Sequence, residues 1–158
     1  MHYFFTRHDF DGLNREIATA CDRIKDAGAE MGLSCAEGAE TFHDNFAYEQ
    51  GQRDQEMWSD RVRELVSVRN NAQIITPGAN NGQVRIGRIV TVNNTTSNTE
   101  KVFRVGSYMV FEDTKVGEIS TLSYDAPLPK SLIGAKVGEE REAFFGGERH
   151  HLEVVKIE

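Results

Sequence analysis

The chain has little of what staples or anchors a protein. Of its 158 residues two are cysteine and three are proline, and no proline precedes Pro77. Two thiols make no disulfide framework. On one helix, Cys21 and Cys35 would stand about 21 Å apart, too far to bridge. No apolar run approaches the roughly 18 residues of a membrane span. The opening Met1-His2-Tyr3-Phe4-Phe5 meets Arg7 and Asp9 too soon for a signal peptide. These absences lead us to expect a reduced, cytoplasmic protein without membrane contact. What is present, 39% hydrophobic and 9% aromatic residues, suffices for one ordinary domain or two small ones and excludes a disordered chain.

Charge is uneven. The net value is −7; residues 1–75 carry 8 basic against 14 acidic side chains, and residues 76–158 carry 10 against 11. An acidic chain is a poor general binder of phosphate backbones. A protein partner, or a basic channel that accepts an acidic arm, suits it better; a solvated helical surface is the plainer alternative.

Composition changes at Pro77-Gly78-Ala79-Asn80-Asn81-Gly82, which sets the expected boundary between residues 1–76 and 77–158. In the first part Phe10, Leu13, Ile17, Ala20, Ile24, Ala27 and Met31 alternate steps of three and four, the stripe of a coiled-coil helix. Tyr48, Gly51, Gln55, Trp58, Val62, Leu65 and Arg69 repeat the spacing. Folding the chain so that paired numbers add to 78 or 79 sets Ala27 against Gly51 and Ala20 against Trp58, a small residue facing a large one. This predicts an antiparallel two-helix hairpin with arms of about 27 residues, roughly 40 Å long, and an acidic tip near 37–44. Gly38 supplies a turn residue, and Thr41 or Asp44 can cap the second helix. One long dimerising helix is the competing reading, and Gly28, Gly32 and Gly38 oppose it.

Residues 77–158 alternate as strands do. The expected strands are Val84–Val92 with an irregularity at Gly87, Val102–Val105, Tyr108–Phe111, Ile119–Leu122, Ala143–Phe145 and Leu152–Ile157. A short helix between Asp125 and Gly134 would have Asp125 as N-cap and Pro127 in its first turn. The whole is of the α+β class, a helical hairpin followed by a small antiparallel sheet with one short helix.

Several stretches resemble the bacterial Gre family of transcription elongation factors, of the GreA/GreB type. They are Asn71-Ala72-Gln73-Ile74-Ile75 at the hairpin base, Gly82–Val92, Ile119-Ser120 through Pro127-Leu128, and Leu132-Ile133-Gly134-Ala135-Lys136-Val137-Gly138. Asp44-Asn45-Phe46-Ala47-Tyr48 resembles the family's Glu-Asn-x-x-Tyr, and Arg61-Val62-Arg63-Glu64-Leu65 its Arg-Ile-x-x-Leu.

The resemblance implies an FKBP-like C-terminal domain that docks on core RNA polymerase at the rim of the secondary channel, with Pro127, Leu128, Leu132 and Ile133 as docking candidates; Leu128, Leu132 and Ile133 read alternatively as helix core, or as a mixture of the two. The protein would be monomeric and meet the nascent RNA 3′ end only indirectly. Arg53 and Arg61 are candidate RNA contacts, or solvated partners of neighbouring acids. Tip carboxylates Asp44 and Glu40 would help hold a polymerase Mg²⁺ and orient a water for transcript cleavage. The factor would be no enzyme, with no cofactor or stably held metal of its own.

The tip departs from the family's Gly-Asp-Leu-x-Glu-Asn. Here Glu40-Thr41-Phe42-His43-Asp44-Asn45 puts uncharged Thr41 where the family has Asp. A channel-binding inhibitor without cleavage stimulation, and a coiled-coil module without polymerase contact, are the alternatives. His43 alone beside Asp44 makes no metal site. His150 and His151 fall on opposite strand faces and read as surface residues.

Overall fold

The computed structural model describes residues 2–37, 46–111 and 118–158. A short strand β1 (Tyr3–Phe5) leads into α1 (Arg7–Glu37), and α2 (Phe46–Asn70) returns to β2 (Ala72–Ile74). There follow β3 (Ile89–Asn94), β4 (Thr99–Gly106), β5 (Thr121–Ser123), α3 (Pro127–Leu132), β6 (Glu140–Phe145) and β7 (Glu148–Ile157). The α+β reading holds: two long helices, then a small sheet with one short helix. No described helix is long and apolar enough to cross a membrane.

The chain divides into two compact units, Met1–Phe10 with Ala72–Glu158, and Asp11–Asn71. The division differs from the boundary expected after residue 76, and the reason lies in backbone pairing across the sequence. β1 and β2 run parallel with Tyr3 opposite Ala72 and Phe5 opposite Ile74. Tyr108 donates its N–H to Phe4 O at 3.0 Å. The first ten residues are thereby tied to the sheet unit.

The five strands lie in the order β5-β4-β3-β7-β6. Strand β3 alternates strictly, with Val90, Val92 and Asn94 facing inward. Val90 and Val92 share a core with Phe103 and Val105 of β4 and Leu152, Val154 and Ile157 of β7. Val154 and Ile157 can both face inward because the β3–β7 register shifts between Thr91 and Val92. Thr91 pairs with Lys156 and Val92 with Val154, so Val155 is the extra residue of a bulge, which reverses the side-chain parity. Leu128, Pro129 and Leu132 of α3 are buried with the same core.

Three expectations in this unit change. The strand expected from Val84 starts only at Ile89, because Gly87 has φ +92° and lies so close to Pro77 that a Cβ there would stand 2.7 Å from Pro77 Cγ. Val84 instead exchanges backbone hydrogen bonds with Gly134 and Ala135. Tyr108–Phe111 is no strand. Its place beside β4 is taken by β5, which runs parallel with Arg104 opposite Thr121 and Gly106 opposite Ser123, so the sheet is not wholly antiparallel. Finally, Ala126 rather than Asp125 is the N-cap of α3, with no side-chain cap bond. The Asp125 carboxylate turns to Lys130 Nζ at 2.7 Å, and Pro127 at the first position needs no N–H partner.

In the hairpin unit the expected stripe is the buried one. Leu13, Ile17, Ala20 and Ala27 are buried, with Ile24 and Met31 half-buried between them. The facing positions Gly51 and Leu65 are buried, and Gln55, Trp58, Val62 and Arg69 are half-buried. Two close approaches give the direction and register. A Cβ built on Gly51 would lie 3.3 Å from Ala27 O, and one on Gly28 would lie 3.6 Å from Gln55 Nε2. Gly51 therefore sits where the expected pairing put it, against Ala27. Helix α1 runs unbroken through Gly28 and Gly32; tertiary packing along the stripe outweighs the propensity cost of about 1 kcal/mol per glycine.

Candidate functional site

The sequence placed its candidates at the hairpin tip, along α2 and around α3. The tip residues Glu40, Thr41, Phe42, His43, Asp44 and Asn45 lie outside the described residues, as do the expected capping roles of Thr41 and Asp44. On either side α1 reaches Glu37 and α2 begins at Phe46. At about 1.5 Å per residue, the 31 residues of α1 extend some 46 Å. The approaches to the tip carry exposed large apolar residues, Leu33 at 65% and Phe46 at 72% exposure. Tyr48, in the first turn of α2, is also exposed.

Arg53 and Arg61 both lie on α2, and each is engaged by an acid of its own helix. Arg53 reaches Glu49 at 3.5 Å, and Arg61 reaches Glu64 at 2.8 Å. The spacings are four and three residues, the expected helical neighbours. Side-chain exposures of 65% and 39% for the two arginines leave these pairs weak, because water and salt screen them. A phosphate could displace either carboxylate at little cost.

Around α3 the four docking candidates separate. Leu128 and Leu132 are buried in the sheet core, whereas Pro127 and Ile133 are exposed. The difference follows from helical geometry: Leu128 and Leu132 are four apart and share the face turned to the sheet. Of the four, only Pro127 and Ile133 lie on the surface. Beside them, the Lys130 ammonium is held above its usual pKa by the hydrogen bond to Asp125 and the attraction of that carboxylate.

Among the described residues no group of three or more His, Cys, Asp or Glu side chains gathers to hold a metal. His150 is not the surface residue expected. It is half-buried, stacks on Phe145 with ring centroids 4.0 Å apart, and its Nδ1 lies 3.0 Å from Asn94 Nδ2. The Asn94 side-chain oxygen already accepts from the N–H groups of Thr96 and Ser97. Its amide must therefore donate to an unprotonated Nδ1, so His150 serves as a structural acceptor at the β3–β4 turn. His151, on the other face, is exposed.

One polar cluster was missed in the sequence. Asp9 is buried at 5% exposure. It accepts from Thr6 Oγ1 at 2.9 Å, from Ser107 Oγ, and from the N–H of Phe111 at 3.3 Å. Thr6 Oγ1 in turn accepts from Asp9 N at 3.3 Å, a side-chain cap on the first turn of α1, while the Thr6 N–H donates to Ser107 Oγ at 2.9 Å. The signal was the pair Thr6-x-x-Asp9; its partner Ser107 is about a hundred residues away and invisible to local pattern.

Residues 79–158 match the family described as "Transcription elongation factor, GreA/GreB, C-term". Transcription elongation factor GreA of Thermotoga neapolitana is 28% identical over 160 residues, covering 96% of this chain and 94% of its own. GreA of Cereibacter sphaeroides is 26% identical over 152 residues, covering 96% and 97%. Among solved structures, the GreA factor homolog 1 protein of Thermus thermophilus aligns over 100% of this chain and 99% of its own, at 17% identity and a TM-score of 0.45. The family match takes in half of the chain, including the whole five-stranded sheet and α3, and on that ground the chain belongs to the GreA/GreB family of transcription elongation factors.

Proposed function

We propose that the chain acts on core RNA polymerase, docking through the sheet unit near Pro127 and Ile133 and carrying the hairpin into the secondary channel. The observation that carries this reading is the joining of a family-matched sheet unit to two long helices that flank an acidic segment. A rod with a narrow buried stripe and exposed acids suits a confined basic passage. The exposed Arg53 and Arg61 can exchange their carboxylate partners for the backbone of nascent RNA near its 3′ end.

At the tip, Glu40 and Asp44 supply oxygen ligands. Mg²⁺ prefers six well-placed oxygens and parts from its water reluctantly. Two carboxylates on an arm do not hold it alone; they complete a site whose other ligands belong to the polymerase. In that setting the metal supplies charge neutralisation and an acidified water. The chain's own part is to bring the carboxylates and orient the water, so it assists a reaction that the polymerase performs and carries no complete active site itself.

Thr41, uncharged at the family's acidic position, favours a second reading: occupancy of the channel with weak or absent cleavage stimulation. A transcript-cleavage assay on a backtracked complex separates the two. With Asp44 as the sole family-like ligand, wild type cleaves weakly, and Thr41→Asp raises the rate most at low Mg²⁺. If Glu40 substitutes for the missing acid, wild type cleaves well and Glu40→Ala abolishes the gain. Asp44→Ala removes stimulation in both cases without weakening polymerase binding. Strong cleavage that survives both alanine substitutions would sink the carboxylate mechanism, and failure to co-purify with core polymerase would leave a coiled-coil module of another kind.

A further inference from the structure

A cavity of about 560 Å³ opens within the sheet unit. Its wall is made by Phe4, Ile75, Pro77, Ile86, Tyr124 and Ile133, and the guanidinium-bearing Arg85 and Arg88 complete the lining. Phe4 and Ile133 are 36% and 42% exposed, so apolar surface remains open to water at the mouth. The two arginines differ from four of the other cations of this unit. Lys130, Arg141, Arg149 and Lys156 are each paired with a carboxylate. Among the described residues, Arg85 and Arg88 have only neutral acceptors: Gln83 Oε1 at 3.0 Å from Arg85 Nη2, and the Gly78 carbonyl for Arg88.

A guanidinium has five N–H donors, and each of these spends one on its neutral acceptor. In an acidic chain two arginines therefore bring unneutralised charge and unused donors to the edge of an apolar cavity. The volume lies in the range of small-ligand sites, which are mostly apolar with a few placed polar groups. The planar fork of arginine suits carboxylate and phosphate oxygens alike, and the apolar wall strengthens such a bond by excluding water.

We propose that this cavity binds a small amphipathic anion, an apolar or aromatic body carrying one carboxylate or phosphate that reaches Arg85 and Arg88. The body would lie against Ile86, Tyr124 and Ile133. It would also touch Ile75 and Pro77, in the stretch that joins β2 to the five-stranded sheet. Ile133 is shared with the proposed docking face, but ligand binding is read on the free chain, so its outcome is distinct from that of polymerase binding.

The test uses the full chain and a matched pair of probes. Anilinonaphthalene sulfonate carries an anion on an aromatic body; N-phenylnaphthylamine is the same body without charge. We expect one saturable site for the sulfonate and about tenfold weaker binding of the neutral probe, the loss of a charge-assisted hydrogen bond. Arg85→Gln, which disturbs only a surface contact with Gln83, weakens the sulfonate about tenfold and leaves the neutral probe unchanged. The double variant Arg85→Gln/Arg88→Gln weakens it further, with thermal melting monitored to show that the fold is kept. Amide chemical-shift changes centre on Ile86, Tyr124 and Ile133. Dodecanoate, dodecyl phosphate or both displace the dye, and dodecanol does not; which of the two wins tells carboxylate from phosphate. Equal affinity for both probes, indifference to Arg85→Gln, displacement by dodecanol alone, or shifts confined to Leu33 and Phe46 of the hairpin would each overturn the proposal. So would an acidic peptide that binds at Arg85 and Arg88 where none of the small anions does.

Discussion

The sheet unit and the hairpin bury their apolar residues by different means. In the sheet unit Val84, Val90, Phe103, Val105, Leu132 and Val154 are each fully enclosed, by neighbouring strands and by α3. Among the described residues of the hairpin, Leu13 and Leu65 are the large side chains that are fully enclosed; Ala20, Ala27 and Gly51 are buried small residues, and the larger Ile24, Met31, Trp58 and Val62 stay half-buried. A sheet with a helix across it closes around large side chains. Two helices alone can cover only a strip, and they approach closely by having little between them. The same removal of a side chain should therefore cost much in one unit and little in the other, while the addition of bulk should be felt most in the seam.

The largest effect is expected at Phe103. Phe103→Ala should lower the stability of the sheet unit by about 3–5 kcal/mol, loss of transfer energy plus an incompletely collapsed cavity. Urea denaturation followed by near-ultraviolet circular dichroism measures it, and a loss below that of a surface substitution would break the picture of a closed core. Next comes the Asp9 cluster. Asp9→Ala leaves Ser107, Thr6 and the Phe111 N–H without their acceptor, and should cost about 1–3 kcal/mol. Hydrogen exchange of the first turn of α1 should quicken with it; unchanged protection would show that the cluster does not hold that turn. Ala20→Trp tests the seam from the opposite side. Overpacking should cost about 1–3 kcal/mol, and no loss of helicity or stability would mean that Ala20 does not face a filled partner.

The smallest effect is at Lys130. Its pKa is raised by the hydrogen bond to Asp125 and by that carboxylate's charge. A raised lysine pKa means that the charged form is favoured by folding. The contribution is complete below the ordinary value of 10.5 and is lost as pH climbs through the raised one. Melting temperatures of wild type and Lys130→Met should differ slightly at neutral pH and converge at strongly alkaline pH. A gap that persists there would point to packing of the lysine stem instead.

What could be read from the sequence was local and periodic. The stripe from Leu13 to Met31 and the contact of Gly51 with Ala27 follow from step lengths of three and four. The break at Gly87 and the helix at Pro127–Leu132 follow from a turn glycine and from a proline that suits a first helical turn, although the cap expected at Asp125 did not form. What escaped was set by distant partners. Tyr108–Phe111 has strand-like composition, yet Tyr108 gives its N–H to Phe4 and the position beside β4 goes to Thr121–Ser123. Tyr3–Phe5 is too short to announce a strand, and its parallel partner lies across the whole hairpin. Of the candidate site, Leu128 and Leu132 could not be told from Pro127 and Ile133 by composition; the face of α3 that meets the sheet decides between them. The grouping of Arg85 and Arg88 with Phe4 and Tyr124 needed the folded chain.

The parallel pairing of β1 with β2 has a consequence for how such a hairpin can change length over generations. Tyr3 and Ala72 fasten the chain immediately before α1 and immediately after α2, so the two arms start from a common baseline. An insertion in one arm alone would slide the seam residues on its tip side off their opposite numbers, Gly51 off Ala27 among them when it falls nearer the base. Only matched insertions, in both arms and in steps of the repeat, keep the seam in register. The hairpin is in this sense a ruler with fixed graduations. Variants with one added heptad in each arm should fold, whereas a single added residue in either arm should not preserve the seam.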